Sequence, residues 1–133
     1  MSDAFVLDSS AILAVLQAEA GQDQVLRVLP DALICAVNLA EIVSTLADRG
    51  MAAERAHLAA MRLGFSVAPL DAELARIAGE LRPTTRAAGL SLGDRCCLAL
   101  GRQRRAIVLT ADCAWSTVAD AVGVRIRNIR PVA

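Results

Sequence analysis

Short apolar runs that stop at an acid, alternating with stretches of helical spacing, recur along this chain. Phe5-Val6-Leu7 halts at Asp8, and Ser9-Ser10 leads into a second apolar run; this reads as a buried strand that releases an acid at its carboxyl end just before a helix. Ser9 or Ser10 is expected to cap that helix, which runs to about Gln17. Gly21 breaks the pattern, and Val25, Leu26 and Leu29 predict a short amphipathic helix ending at Pro30. Residues 32–37 are an apolar run read as the second strand. Asn38 then stands as an N-cap, with Glu41 in the capping-box position of a helix carrying Ile42 and Leu46 and ended by Gly50. A further helix is predicted over 52–63. Residues 65–69 alternate as a third strand, whose proline favours its end or a sheet edge. Asp71 caps a helix over 72–81 with Leu74, Ile77, Ala78 and Leu81 buried, and Pro83 ends it. After a polar connection over 84–89, Ser91 and Asp94 open another helix in a capping-box spacing. The polar segment 101–105 leads into a clear buried strand, 106–109, followed again by a hydroxyl and an acid, Thr110 and Asp112. Asp112 is an N-cap for a short helix carrying Trp115 and Val118. Residues 124–129 alternate cleanly as a last strand with one wet face.

Composition narrows the class of protein. The 133 residues fit one domain, 1–133, and a content of 56% hydrophobic with 2% aromatic residues requires a core of Ala, Val, Leu and Ile. No apolar run approaches the roughly 18 residues of a membrane span. The start of the chain also lacks the basic stretch of a signal peptide, so a cytosolic protein is expected. Cys35, Cys96, Cys97 and Cys113 show no CxxC spacing and no histidine partners, which favours reduced, mostly buried thiols over zinc or disulfides. His57, the only histidine, is expected on the surface. Net charge is zero and every cation is an arginine. From Arg82 onward nine arginines face three acids, which fits either solvated helix faces or a phosphate-contacting surface.

The candidate chemistry lies in four acids. Asp8 and Asp112 follow apolar strands, Glu41 and Asp94 sit in the opening turns of helices, and each has a purely structural use as a cap. All four positions can nevertheless converge on the carboxyl edge of one sheet, the usual ligand site of open α/β folds. Clustered carboxylates raise one another's proton affinity unless a cation compensates. A site of three or four acids without histidine or thiolate suits Mg²⁺ or Mn²⁺. Such an ion can activate water and stabilise charge developing on a scissile phosphate, so the implied reaction is metal-dependent hydrolysis of a phosphate ester. In that reading arginines near the cleft, with Arg86 and Arg95 as candidates, hold the phosphate-bearing substrate.

The chain resembles the PIN-domain ribonucleases, most closely the VapC-type toxins of toxin–antitoxin modules. The resemblance rests on Val6-Leu7-Asp8-Ser9-Ser10-Ala11, Asn38-Leu39-Ala40-Glu41-Ile42, Leu90-Ser91-Leu92-Gly93-Asp94 with Cys97-Leu98-Ala99-Leu100, and Leu109-Thr110-Ala111-Asp112 with Trp115. It implies an α/β fold, a single three-layer α/β/α domain with a mostly parallel sheet of about five strands. It also implies that Asp8, Glu41, Asp94 and Asp112 are the catalytic, metal-binding carboxylates for Mg²⁺ or Mn²⁺. Ser10 and Thr110 would be polar supports for the site, and Asn38 would orient Glu41. Many relatives carry a further acid or amide two residues after the last aspartate, where this chain has Ala114, which bears on a second metal. The implied partners are RNA as substrate, a VapB-type antitoxin and a second copy of the chain in a homodimer. The rival readings are a non-catalytic PIN-like binding module and a free-standing RNA-processing nuclease. A signalling receiver would want a lysine, and a haloacid-dehalogenase-like phosphatase an aspartate where Ser10 stands.

Overall fold

The computed structural model describes residues 4–130. Over these residues the strands are β1 (Phe5–Leu7), β2 (Ala32–Cys35), β3 (Ser66–Ala68), β4 (Ile107–Thr110) and β5 (Arg125–Asn128). The helices are α1 (Ser9–Leu16), α2 (Gln22–Val28), α3 (Ala36–Asp48), α4 (Ala53–Met61), α5 (Ala72–Glu80), α6 (Arg82–Thr85), α7 (Leu92–Arg104) and α8 (Ala119–Val122). Short 3₁₀ turns fill Leu29–Asp31 and Cys113–Thr117.

All strand pairs are parallel, in the order β3-β2-β1-β4-β5. The chain therefore moves outward from β1 to β3, then returns past β1 to lay down β4 and β5. Parallel crossovers are right-handed, so reversing the direction of travel puts the second set of helices on the opposite face of the sheet. The side chains follow. Leu7, Ile34, Ile107 and Leu109 pack with residues of α1 to α4, while Val6, Cys35 and Val108 pack with α5, α7, α8 and Trp115. Alternate residues of β1 to β4 thus feed two separate cores, while β5 turns only Ile126 into a core and keeps Arg125 exposed. This is the expected α/β/α arrangement. No helix among the described residues is long and apolar enough to cross a membrane.

Several local expectations need correcting. Asp8, not Ser9 or Ser10, caps α1, its side chain accepting from the Ala11 amide at 2.9 Å. The second strand stops at Cys35, which is the N-cap of α3, so Val37 and Asn38 already lie in the helix and Asn38 is no cap. Pro83 does not close a helix into a loop but occupies the first turn of α6, where its missing N–H is harmless. The polar segment after Leu100 stays helical to Arg104. Gly101 is what brings that stretch down onto the sheet, because a β-carbon there would run into the Val108 side chain. The caps expected from Asp71, Ser91 with Asp94, and Asp112 are present.

Candidate active site

The strand order reverses between β1 and β4, the position at which open α/β sheets form a crevice beyond the carboxyl ends of their strands. Asp8 leaves β1 on one side of that switch point, and Thr110 with Asp112 leaves β4 on the other. The two strand ends are stitched together by hydroxyls. Thr110 Oγ1 donates to Asp8 Oδ2 at 2.8 Å and accepts from the Asp112 amide at 3.0 Å. Ser10 Oγ donates to Asp8 Oδ1 at 2.7 Å and accepts from the Ala111 amide at 2.9 Å.

Asp8 is 3% exposed, and none of the ion pairs formed among the described residues involves it. Burial is the main reason its pKa is pushed up to about 6; the hydroxyls of Ser10 and Thr110 and the Ala11 amide oppose the rise, and the charge of Asp94 adds to it. Asp94 comes from the first turn of α7, where it closes the capping box: its Oδ2 accepts from the Ser91 amide at 2.9 Å and its own amide donates to Ser91 Oγ at 3.2 Å. Glu41 comes from the second turn of α3. Its Oε1 accepts from Asn38 Nδ2 at 2.8 Å and from Ser9 Oγ at 3.3 Å. The second amide proton of Asn38 goes to the Gly93 carbonyl at 3.1 Å, tying α3 to α7. Burial, and then the charges of Asp8, Cys35, Asp94 and Glu41, push the pKa of the buried Cys97 thiol up.

Asp112 differs from the other three. It is exposed, its Oδ1 accepts from the Ala114 amide at 3.0 Å, and it joins the network through its backbone rather than its carboxylate. Hydrogen bonds thus join Asp8 to the β4 end and Glu41 to Ser9 of α1, while Asn38 ties Glu41 to Gly93 beside Asp94; Asp112 is exposed. Among the described residues no three histidine, cysteine, aspartate or glutamate side chains stand close enough to enclose an ion.

The capping roles and the ligand roles of these acids turn out to be compatible. Among the described residues Glu41, Asp94 and Asp112 each have one oxygen held by donors and the other without one. Asp8 has two donors on Oδ1 and one on Oδ2, which leaves one lone pair of the four that a carboxylate offers. An all-oxygen donor set of this kind, anchored on one edge and unpaired with any cation, fits a hard divalent ion. Mg²⁺ commonly keeps several waters and takes only one or two carboxylates, so an open arrangement suits it better than a closed cage.

The two arginine candidates do not join the acids. Arg86 is exposed at the end of α6, and Arg95 Nη1 donates to the Ala78 carbonyl of α5 at 3.1 Å. Cys35, Cys96 and Cys97 are buried free thiols, Cys113 is an exposed one, and His57 lies on the surface. Two residues of the site were not legible beforehand. Ser9 was read only as a cap yet reaches Glu41 across 32 residues of sequence, and Gly93 was read only as part of a motif yet lies directly under the Glu41 carboxylate.

The chain matches the family model of the PIN domain over residues 5–121 and belongs to that family. Its fold is similar to that of a toxin–antitoxin complex from Klebsiella pneumoniae, at 14% identity over 97% of this chain and 100% of the other, with a TM-score of 0.73. It is also similar to DNA-bound VapBC from Salmonella typhimurium, at 19% identity, 96% and 99% coverage and a TM-score of 0.71. A third similar structure is VapC20 from Mycobacterium tuberculosis, a toxin that cleaves the sarcin–ricin loop, at 20% identity, 86% and 94% coverage and a TM-score of 0.71. At these identities the likeness to solved structures is one of fold. No curated protein matches the chain.

Proposed function

We propose that this protein is a Mg²⁺- or Mn²⁺-dependent endoribonuclease acting as the toxin of a toxin–antitoxin pair, with residues 1–133 as one cytosolic domain. The observation that carries this reading is a buried Asp8 at the switch point of a PIN fold, in no ion pair among the described residues and with its proton affinity raised further by the charge of Asp94. When bound, the ion supplies charge stabilisation at a scissile phosphate and acidifies water. The protein's own part is positional. Thr110 and Ser10 fix both oxygens of Asp8 and hold the β4 end beside it, so that the Asp112 carboxylate stands at the mouth. Asn38 and Ser9 hold one oxygen of Glu41, and Ser91 holds one oxygen of Asp94, which leaves the opposite oxygens for a cation. Asp8, Glu41, Asp94 and Asp112 are thus the proposed ligands. The exposed Arg86 remains a contact for the RNA backbone, and a VapB-type antitoxin and a second copy of the chain are the proposed protein partners.

The alternative is a non-catalytic PIN-like module, favoured by one feature: the acids of α7 and of the Cys113–Thr117 turn are fully explained as caps, and the position two residues after Asp112 is Ala114. Titration calorimetry with Mn²⁺, without RNA, on wild type and Asp94→Asn separates the two. Saturable binding lost in the variant, with RNA cleavage lost alongside it, supports the nuclease. Wild-type RNA cleavage by Asp94→Asn removes Asp94 from the mechanism, and absence of binding and cleavage in the wild type leaves the module. A neighbouring small reading frame encoding a DNA-binding antitoxin would favour the toxin over a free-standing processing nuclease.

A further inference from the structure

We propose that Gly93 is a positioning residue of this site, setting the Glu41 carboxylate against the first turn of α7, next to Asp94, by having no side chain of its own; the assignment rests on the metal-site reading above. Gly93 is buried and helical, with no positive φ that would call for glycine. Glycine in a helix is disfavoured relative to alanine. Space is what it provides, since a β-carbon at this position would stand 2.6 Å from Glu41 Cδ and 2.7 Å from Oε1, and closer still to Oε2.

A glutamate tip can ordinarily swing away from such a methyl group. Here the tip is tied down. Oε1 is held by Asn38 and Ser9, and Asn38 is itself 0% exposed and bonded to the Gly93 carbonyl. Moving the carboxylate off Gly93 therefore breaks its bonds from Ser9 of α1 and from Asn38, whose amide also holds α7, and turns away Oε2, which has no donor among the described residues. The glycine and the clamp act as one device. Asn38 selects which oxygen is held, and Gly93 lets the other lie against α7.

The test is a double-mutant cycle on the full chain, reading Mn²⁺ affinity by calorimetry and thermal midpoints with chelator present. Gly93→Ala is expected to weaken Mn²⁺ binding by about tenfold or more, as loss of a residue that orients a ligand does. The same substitution in a Glu41→Ala background should leave affinity unchanged. The metal-free midpoints should shift in opposite directions, Gly93→Ala lowering the midpoint beside Glu41 and raising it beside Ala, where only its helix preference remains. Glu41→Asp with Gly93→Ala should regain part of the affinity, because the shorter acid withdraws from the methyl group. A single variant that fails to fold while the double variant folds is the same coupling in its extreme form. Wild-type Mn²⁺ affinity in Gly93→Ala, alongside lost affinity in Glu41→Ala, overturns the proposal and spares the metal reading. Equal midpoint shifts in both backgrounds, or unfolding in both, also overturn it. If the wild type binds no Mn²⁺, or Glu41→Ala binds as tightly as wild type, the reading of Glu41 as a ligand falls first and takes the proposal with it.

Discussion

Two groups of carboxylates in this protein are treated in opposite ways. On the outer face of α5, Glu73 and Glu80 stand in water with Arg76 between them, paired to both. The hydrogen bond and then the charge of Arg76 hold the Glu73 carboxyl below its usual range. At the β1–β4 mouth, Asp8 is buried, receives only hydroxyls and one amide, and faces another acid. Arginines are plentiful in this chain, so the lack of one beside Asp8 is not a shortage of cations. The exposed cluster answers the demands of solubility and helix stability. The buried one works against stability, the cost expected of a carboxylate kept for the proposed metal site.

The contrast can be broken most severely at Asp8 itself. Asp8→Asn is expected to lower RNA cleavage by about 10²–10³-fold, the scale on which removal of one group that stabilises developing charge acts. A single-turnover cleavage assay with excess Mn²⁺ checks it, and a wild-type rate would show that the buried charge has no part in the reaction. Next in size is the pH dependence of the metal-free protein. With its pKa raised from 3.8 to about 6, Asp8 keeps its proton in the fold over a range where the unfolded chain has lost it. Stability should therefore fall as pH rises from about 4 to about 6, by ~3 kcal/mol, and level off above that window. Urea titrations with chelator should show this slope in wild type and its absence in Asp8→Asn. Saturating Mn²⁺ should recover the lost stability near neutral pH, by about 2.7 kcal/mol at a hundred times Kd.

A smaller effect is expected at Thr110. Thr110→Val takes a donor from Asp8 and an acceptor from the Asp112 amide, and should cost about 1–3 kcal/mol at neutral pH while moving the pH-dependent slope to more alkaline values. Thr110→Ser should restore both. The smallest effect sharpens the comparison from its other side. Arg76→Ala, which removes a pair of exposed salt bridges, should leave the unfolding midpoint and the Mn²⁺ affinity within measurement error, as solvent-exposed pairs usually do.

Much of this was readable from the residues because the strands are short and end in acids. Val6-Leu7 before Asp8 and Ile107-Val108-Leu109 before Thr110 are buried on both faces, and such runs stand out in any sequence. What failed were boundaries across which apolar character does not change. Ala36 and Val37 continue the apolar run of β2, so nothing in their chemistry marks the turn into α3; Asn38 therefore lies inside the helix instead of capping it, while its amide reaches Glu41, as the family resemblance implies, and also Gly93. The extension of α7 past Leu100 was hidden for the converse reason, since Gly101 and the arginines after it look like a loop until Val108 is seen lying against the glycine. Arg95 misled because a cation close in sequence to a site acid suggests a site role, whereas the helix geometry turns it to a carbonyl of α5.

The central position of β1 has a consequence in time. This strand is made first, yet its neighbours on either side come later, and the hydroxyl that holds Asp8 Oδ2 is synthesised 102 residues after the acid it serves. At ordinary translation speeds that interval is roughly 5–20 s. Throughout it a growing chain carries Asp8 without its β4 partner. The β1–β4 half of the site therefore forms only once strands from both directions of travel have been made, a delay set by strand order alone.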